Sequence, residues 1–536
     1  MTENARKSLY QFEYRRSPDQ DGPTVRRPVV VIGAGPVGLA CAIDLAQRGV
    51  PVVLLDDADR IGEGSRGLCY SKRTLEILDR LGVGRHCVEK GVTWKLGRVF
   101  QGEHALYQFD LLPETGHEMP AFVNLQQYYL EHYLVERAGA LENLEIRWRN
   151  KVVGLQPLND GAQLTIDTPD GPYDLQADWV VAADGARSPA RAMLGLDFMG
   201  EVFEERFLIA DVRMSEAFPT ERWFWFDPPF HSGRSALLHK QPDGIWRIDL
   251  GLGAGADASA EQKPENVIPR IRQMLGHSDF ELEWVSVYTF QCRRLERFVH
   301  GRVVFAGDAA HQVSPFGARG ANSGIQDAEN LAWKLARVIQ GRSPASLIET
   351  YAVERVAAAD ENIGHSTRAT DFIAPRTPQE MRFRDAALAL ARETDFGKRM
   401  VNSGRLSTPT TSRDSPLSTP DAEPWGGSAR LGAPLPDAPM ATPAGEPIWL
   451  LDAVGGDAVE LVLGDGPPPA PAPDGVRRIV VGADLIDVEG RFAERFDAVP
   501  GATWLVRPDQ HLAARFRHAD ADRIAAAARR MTGDVR

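Results

Sequence analysis

Apolar residues along the chain fall into short runs with two different periods. Pro28 to Ile32 is a β-branched run that stops at Gly33, and from Val37 to Gln47 the apolar positions recur at helical spacing. Val52 to Leu55 is a second such run, closed by Asp56, which completes a strand–helix–strand unit with the crossover that parallel sheets require. Two more strand-like runs, Trp179 to Ala182 and Val303 to Ala306, run into Asp-Gly and Gly-Asp pairs. Between them the pattern changes to alternating segments, such as Arg222 to Phe226 and Trp246 to Leu250, which predict antiparallel sheet with one exposed face.

The second half of the chain is organised differently. Residues 403–424 are rich in Ser, Thr, Pro and Asp, the composition of an exposed linker and hence of a domain boundary. Beyond it, Pro447 to Leu451, Val459 to Leu463, Arg478 to Val481 and Thr503 to Val506 read as strands, and Ala519 to Met531 reads as a closing helix. Pro467 to Pro473 is a Pro-Ala-rich surface loop. The expected plan is a polar leader over 1–27, a large body over 28–402, the linker, and a small α/β domain over 425–536.

Composition narrows the function classes. With 43% hydrophobic and 25% charged residues in 536, the chain has the balance of a globular protein of more than one domain. A formal charge of −13 argues against nucleic acid or anionic lipid as partner. The four cysteines, Cys41, Cys69, Cys87 and Cys292, are too far apart in sequence for a zinc or redox motif. No signal peptide and no membrane span is expected, which points to the cytoplasm.

Gly33-Ala34-Gly35-Pro36-Val37-Gly38 follows a strand and opens a helix, as a dinucleotide fingerprint must. Its first glycine permits the tight turn, the second lets a pyrophosphate approach the backbone, and the third lets helix and strand pack closely. The helix start offers unpaired N–H groups to phosphate, and Asp56 at the end of the next strand is placed to accept ribose hydroxyls.

Two later motifs accompany it: Ala183-Asp184-Gly185-Ala186-Arg187-Ser188, with Arg191 beyond, and Gly301 to His311 with Gly307-Asp308 at its centre. In this order the three motifs resemble the signatures of class A FAD-dependent aromatic monooxygenases, the group of para-hydroxybenzoate, phenol and 3-(3-hydroxyphenyl)propionate hydroxylases, over about Pro28 to Gly364. The resemblance implies an α/β fold: a Rossmann-like FAD-binding domain interleaved with a mixed, mainly antiparallel substrate sheet (roughly 90–125 and 200–295), and a thioredoxin-like C-terminal domain. Trp504 to Leu512 resembles part of that tail domain, which lacks cysteine here and is therefore expected to be redox-inert.

The same resemblance implies hydroxylation of a phenolic or related aromatic compound, with NADH or NADPH as transient reductant and O2 activated as a flavin C4a-hydroperoxide. It places Asp308 and Gly307 on the ribityl and pyrophosphate part of FAD, and Asp184 near flavin and nicotinamide cofactor, with Arg187 and Arg191 as cations for the latter. Pro315, Gly320, Ala321 and Asn322 are placed along the flavin ring, and Arg66 and Gln127 beside the cofactor. Where many relatives have Gly-Gly-Gln-Gly this chain has Gly317-Ala318-Arg319-Gly320, so Arg319 is expected near the reduced flavin, near an anionic substrate, or in solvent. Tyr70, His231, His239 and Tyr288 are candidates for proton handling, and Trp225 for the substrate pocket or the core. His311 is expected to be structural, and Cys69 is placed to face the active site. The segment Arg66 to Leu78 resembles polyketide hydroxylases, which keeps open a polycyclic substrate or Baeyer–Villiger chemistry, and a flavin-bound module without turnover is the reading from another class. A homodimer is expected.

Overall fold

The structure, a computed structural model, describes residues 10–62, 67–215, 218–401, 406–464, 471–518 and 520–533. Its first layer is a parallel sheet in the order Val303–Phe305, Tyr173–Ala182, Val25–Ile32, Val52–Leu55, Leu144–Arg147, edged by antiparallel Val299–His300. Val29, Val30 and Val31 are covered on both faces, which is why their run is continuously apolar instead of alternating. Successive strands depart from Val25–Ile32 in opposite directions, so a crevice opens beyond the carboxyl ends at that switch point. Ile32 lies opposite both Leu55 and Ala182, and Ala182 lies opposite Phe305. The three motifs therefore leave the sheet side by side, at the same level.

The polar leader is part of this body from Tyr10 onward. Phe12 stacks on Trp148 with ring centroids 4.4 Å apart, and buried Asp19 accepts hydrogen bonds from Arg27 and Arg147.

A second layer is an eight-stranded sheet in the order His311–Gln312, Glu281–Leu295, Phe198–Arg213, Ile245–Gly251, Ser235–Lys240, Arg222–Phe226, Leu96–Gln101, His104–Asp110. All pairs are antiparallel except Arg222–Phe226 with Leu96–Gln101. One face is apolar: Leu208, Ala210, Val212, Trp246, Ile248 and Leu250 pack against Val267 and Ile271 of helix Pro264–Leu275. The other face carries Phe207, Arg222, His239, Arg247, Asp249 and Tyr288. The alternation predicted this polar face but not its surroundings. It does not face open solvent: Arg222, His239, Arg247, Asp249 and Tyr288 line a cleft against the parallel-sheet layer, and His239 and Arg247 are buried.

Residues 425–536 contain a four-stranded sheet in the order Arg477–Val481, Val459–Leu463, Thr503–Val506, Leu512–Phe516, the first pair parallel and the others antiparallel. Helix Ala521–Met531 covers it through Ile524, Ala527 and Met531. This order and strand sense make a small mixed α/β unit. The Pro447 run is a strand only to Trp449 and pairs with Pro439–Ala441 outside that sheet.

The exposed linker expected over 403–424 is corrected by the structure. In its described part Leu417 is buried against Trp333 and Leu347, and Ser415 donates to Glu354. A Ser-rich composition suggests solvation, but a hydroxyl that meets a buried carboxylate can be covered without leaving a polar group unmet. The tail is likewise no loose appendage. Fully buried Arg507 donates to Glu354 on helix Leu347–Ile373 and to Asp509, and buried Arg73 donates to Glu329, Gln510 and the Asp509 carbonyl.

Removing Arg507 takes the guanidinium from buried Asp509 and from buried Glu354, which keeps Lys334 as its remaining cation, so Arg507→Ala is expected to destabilise the protein by about 3–5 kcal/mol. Equilibrium denaturation checks this, and a loss below about 1 kcal/mol, the range of an exposed pair, would contradict it.

Candidate cofactor and substrate site

At the crevice beyond the parallel strands, Gly33 has φ +103°, and a Cβ there would lie 2.5 Å from the Ala183 carbonyl oxygen. A Cβ on Gly38 would lie 1.9 Å from the Gly33 carbonyl oxygen. Both positions therefore require glycine on steric grounds alone. Gly35 is different: nothing lies within 4 Å of its ideal Cβ, and it caps helix Pro36–Gln47, whose start points into the cleft. Backbone is thus left bare where an anionic group can meet helix N–H groups.

The cleft is a cavity of about 650 Å³, within the range of small-molecule and cofactor sites. Asp56 accepts from the amides of Ala34 (2.6 Å) and Ala58 (2.8 Å), which fixes its carboxylate at the strand end. Burial raises its affinity for a proton, opposed by those two bonds. Gln127 opens helix Gln127–Gly139, accepts from Gly67 N–H at 2.8 Å and donates to Glu131 at 2.7 Å. Asp184 accepts from Ala190 N–H at 2.9 Å through one oxygen, while the other is buried with no hydrogen-bond partner among the described residues. Asp308 is hemmed in by protein yet open to the cleft, and its carboxylate has no hydrogen bond or ion pair to another described residue. Its surroundings raise its pKa, an effect that His311 only partly offsets. Two acidic groups thus present acceptor oxygens to whatever fills the cleft. Arg66 lies outside the described residues.

The loop carrying Gly307 and His311 is held from below by one buried carboxylate. Asp327, on helix Gly320–Ile339, accepts from Gly307 N–H (3.0 Å), His311 Nε2 (2.6 Å) and Arg355 Nε (2.6 Å). His311 is therefore a structural tether. Despite burial, His311 and Arg355 hold Asp327 below the usual carboxylate range. Pro315, Gly320 and Ala321 line the cleft at the start of that helix, where the dipole is positive. Asn322 lines it too, but its side chain is spent on protein: it accepts from Ser71 N–H (2.9 Å) and donates to the carbonyls of Cys69 (2.8 Å) and Ala318 (2.5 Å). Arg319 is buried, not solvated, and lies between this cleft and a second cavity.

The substrate-sheet candidates separate by side-chain direction. His239 and Tyr288 face the cleft, whereas three others do not line it. Tyr70 is fully buried in the core, because on strand Cys69–Ser71 it points away from the face that presents Cys69. Trp225 lies on the apolar face, stacked on Phe100 with centroids 5.2 Å apart. His231 sits in a turn beside helix Pro264–Leu275, its Nε2 donating to the Gly251 carbonyl at 2.6 Å. Burial, with Arg222 and Arg247 nearby, holds His239 well below the ordinary histidine range, so it is neutral at working pH. Cys69 does face the site, 3.1 Å from Asn124 Oδ1 and 3.9 Å from His239 Nδ1. Sequence reading passed over Arg222, Arg247, Asp249 and Phe290, although charged residues alternating with Trp246, Ile248 and Leu250 were the signal.

Residues 26–366 match the FAD binding domain family, and the chain belongs to it. Over 93% of its length it is 31% identical to 6-methylpretetramide 4-monooxygenase of Streptomyces rimosus, 91% of which is covered. It is 28% identical to a 3-(3-hydroxy-phenyl)propionate/3-hydroxycinnamic acid hydroxylase of Mycolicibacterium smegmatis, over 70% of this chain and 66% of that one. Among solved structures, the anhydrotetracycline hydroxylase OxyS of Streptomyces rimosus superposes with a TM-score of 0.72 at 26% identity, over 95% of this chain and 99% of that one. With the three ordered motifs, these relatives define a class A FAD-dependent aromatic monooxygenase.

The glycines yield a paired test. Gly35→Ala is expected to leave the melting temperature of the apoprotein unchanged while weakening FAD binding, whereas Gly38→Ala is expected to unfold or strongly destabilise the apoprotein itself. Thermal melts with and without FAD separate the two, and equal destabilisation by both would contradict the assigned roles.

Proposed function

We propose that the protein hydroxylates a phenolic or related aromatic ring, using NADH or NADPH and O2. The observation that carries the reading is the meeting of three motif-bearing strand ends at one cleft, faced by the polar side of a second sheet. In this reading Gly33, Gly35, Pro36, Val37 and Gly38 cradle the FAD pyrophosphate, Asp56 holds the adenosine ribose, and Gln127 and Arg66 flank the cofactor. The unpartnered carboxylate of Asp308 accepts from ribityl hydroxyls, and Asp184 supplies a second acceptor. When bound, FAD supplies electron transfer from the nicotinamide and activation of O2.

The chain's own groups set the conditions for that chemistry. The start of helix Gly320–Ile339, with Gly320, Ala321 and the Asn322 backbone, directs partial positive charge at the flavin edge, where negative charge collects on reduction. Arg319 adds a full charge at the same end. His239 presents Nε2, which is buried with no hydrogen-bond partner among the described residues, to a substrate hydroxyl. Being neutral, it holds a hydrogen bond and is a poor proton acceptor. Phe207, Phe290 and Phe316 pack together, with ring centroids 4.9–5.9 Å apart, and help to keep water from the reacting ring.

The chain is proposed to act in the cytoplasm, where a nicotinamide pool is available, as a homodimer. Exposed Met381, Phe383, Leu390 and Phe396 on neighbouring helices support self-association.

Asp308→Ala is expected to weaken FAD binding by about 1–3 kcal/mol, roughly five- to 150-fold, and to purify pale. Full flavin occupancy in the variant would contradict the assignment. In the wild-type protein an aromatic substrate is expected to accelerate NAD(P)H consumption, with one heavy atom from labelled O2 in the product. Label entering from water would remove the monooxygenase reading.

A further inference from the structure

Beside the cofactor cleft lies a second cavity of about 610 Å³, which shares Arg222 and Arg319 with it as lining residues. Its walls are aromatic: Tyr107 and Phe109 from strand His104–Asp110, Phe224 and Phe226 from Arg222–Phe226, Phe372 from helix Leu347–Ile373, and Phe316 from the flavin-side loop. A one-ring phenol fills only a small part of such a space.

The charges around this junction are unevenly satisfied. Arg98 is bound by Glu221 through two hydrogen bonds, and Arg247 donates to Asp249 at 3.1 Å. On the far wall Asp371 is engaged by Arg376, and Glu380 accepts from the amides of Arg376 and Thr377. Arg222 has no such partner. Its contact among the described residues is with Cys69 Sγ at 3.9 Å, and that thiol is kept protonated by burial, so it supplies no countercharge. His239, also beside Arg222, carries no negative charge in either protonation state. Among the described residues, a half-buried guanidinium therefore stands at the joint between an aromatic chamber and the flavin cleft with no anion paired to it.

We infer that Arg222 binds an anionic oxygen of a polycyclic aromatic substrate, whose remaining rings occupy the aromatic chamber while the ionised ring enters the flavin cleft. This rests on the hydroxylase reading above and adds to it the substrate class and the residue that selects it. Binding as the anion breaks the phenolic O–H bond before oxygen transfer, and the proton leaves to bulk water. The ring then arrives in its more nucleophilic form without a protein base, which accounts for a site whose histidine is held neutral. Arg368 and Arg399, exposed at the chamber's outer rim, add positive charge along the path inward.

The test uses oxidised, FAD-loaded protein and two probes, alizarin, whose visible band moves to longer wavelength when its phenol ionises, and the neutral 1,2-dimethoxyanthraquinone. Wild-type protein is expected to bind alizarin with the spectrum of its anion at a pH where free alizarin is mostly neutral. Arg222→Gln is expected to weaken alizarin about tenfold or more and to abolish the anion band, with little change for the dimethoxy compound. Arg222→Lys is expected to retain part of the band, and Phe224→Ala to weaken both probes. Alizarin bound in its neutral form by the wild type, or equal binding of both probes by Arg222→Gln, would overturn the role of Arg222. If neither anthraquinone binds while simple phenols still stimulate NAD(P)H consumption, the chamber assignment falls and the hydroxylase reading stands.

Discussion

One buried carboxylate joins the parts of this molecule that must stay in register. Asp327 receives the Gly307 amide, the His311 ring and the Arg355 guanidinium, and so ties the turn after one sheet strand to the second turn of helix Gly320–Ile339 and to the long helix behind it. Burying an acid is costly unless it is met by several donors, and here an imidazole, a guanidinium and a backbone amide meet it. Because the tether is short and fully inside, Asp308 and the Pro315–Asn322 stretch are held on the same side of the cleft as the glycine loop. The cofactor cleft thus depends on one interior interaction as much as on its lining.

What was legible in the sequence was what is local. The glycine loop, Asp56, and the Asp184 and Asp308 turns each declare themselves within a few residues, because strand ends, tight turns and helix starts impose their requirements on adjacent positions. The register that sets the three motifs side by side was not visible, because it lies in the pairing of strands distant in sequence. The polar alternation of the second sheet was also read correctly as a face. Its burial was not, because a charged face against solvent and one against another domain have the same period.

The side-chain candidates that do not line the cleft miss it for related reasons. Tyr70, His231 and Trp225 have the right chemistry and stand close in sequence to the site, but strand direction or turn geometry sends each elsewhere. Cys69 and Tyr70 are neighbours on one strand, and only the first faces the cleft. A one-residue difference decides such questions in a strand, and nothing in composition settles it. The segment 403–424 and the tail show the same limit at larger scale. Ser415 and Arg507 look like exposed polar residues until Glu354, distant in sequence and itself buried, is brought against both.

The central claim is that the Asp327 tether builds the cofactor cleft. Its most direct test is the FAD dissociation constant of Asp327→Asn, titrated into apoprotein whose far-ultraviolet circular dichroism matches wild type. The account predicts a folded protein whose FAD affinity falls by about a hundredfold or more, as expected when a charged hydrogen-bonding partner of buried groups is neutralised. Wild-type affinity in a folded Asp327→Asn protein would contradict it.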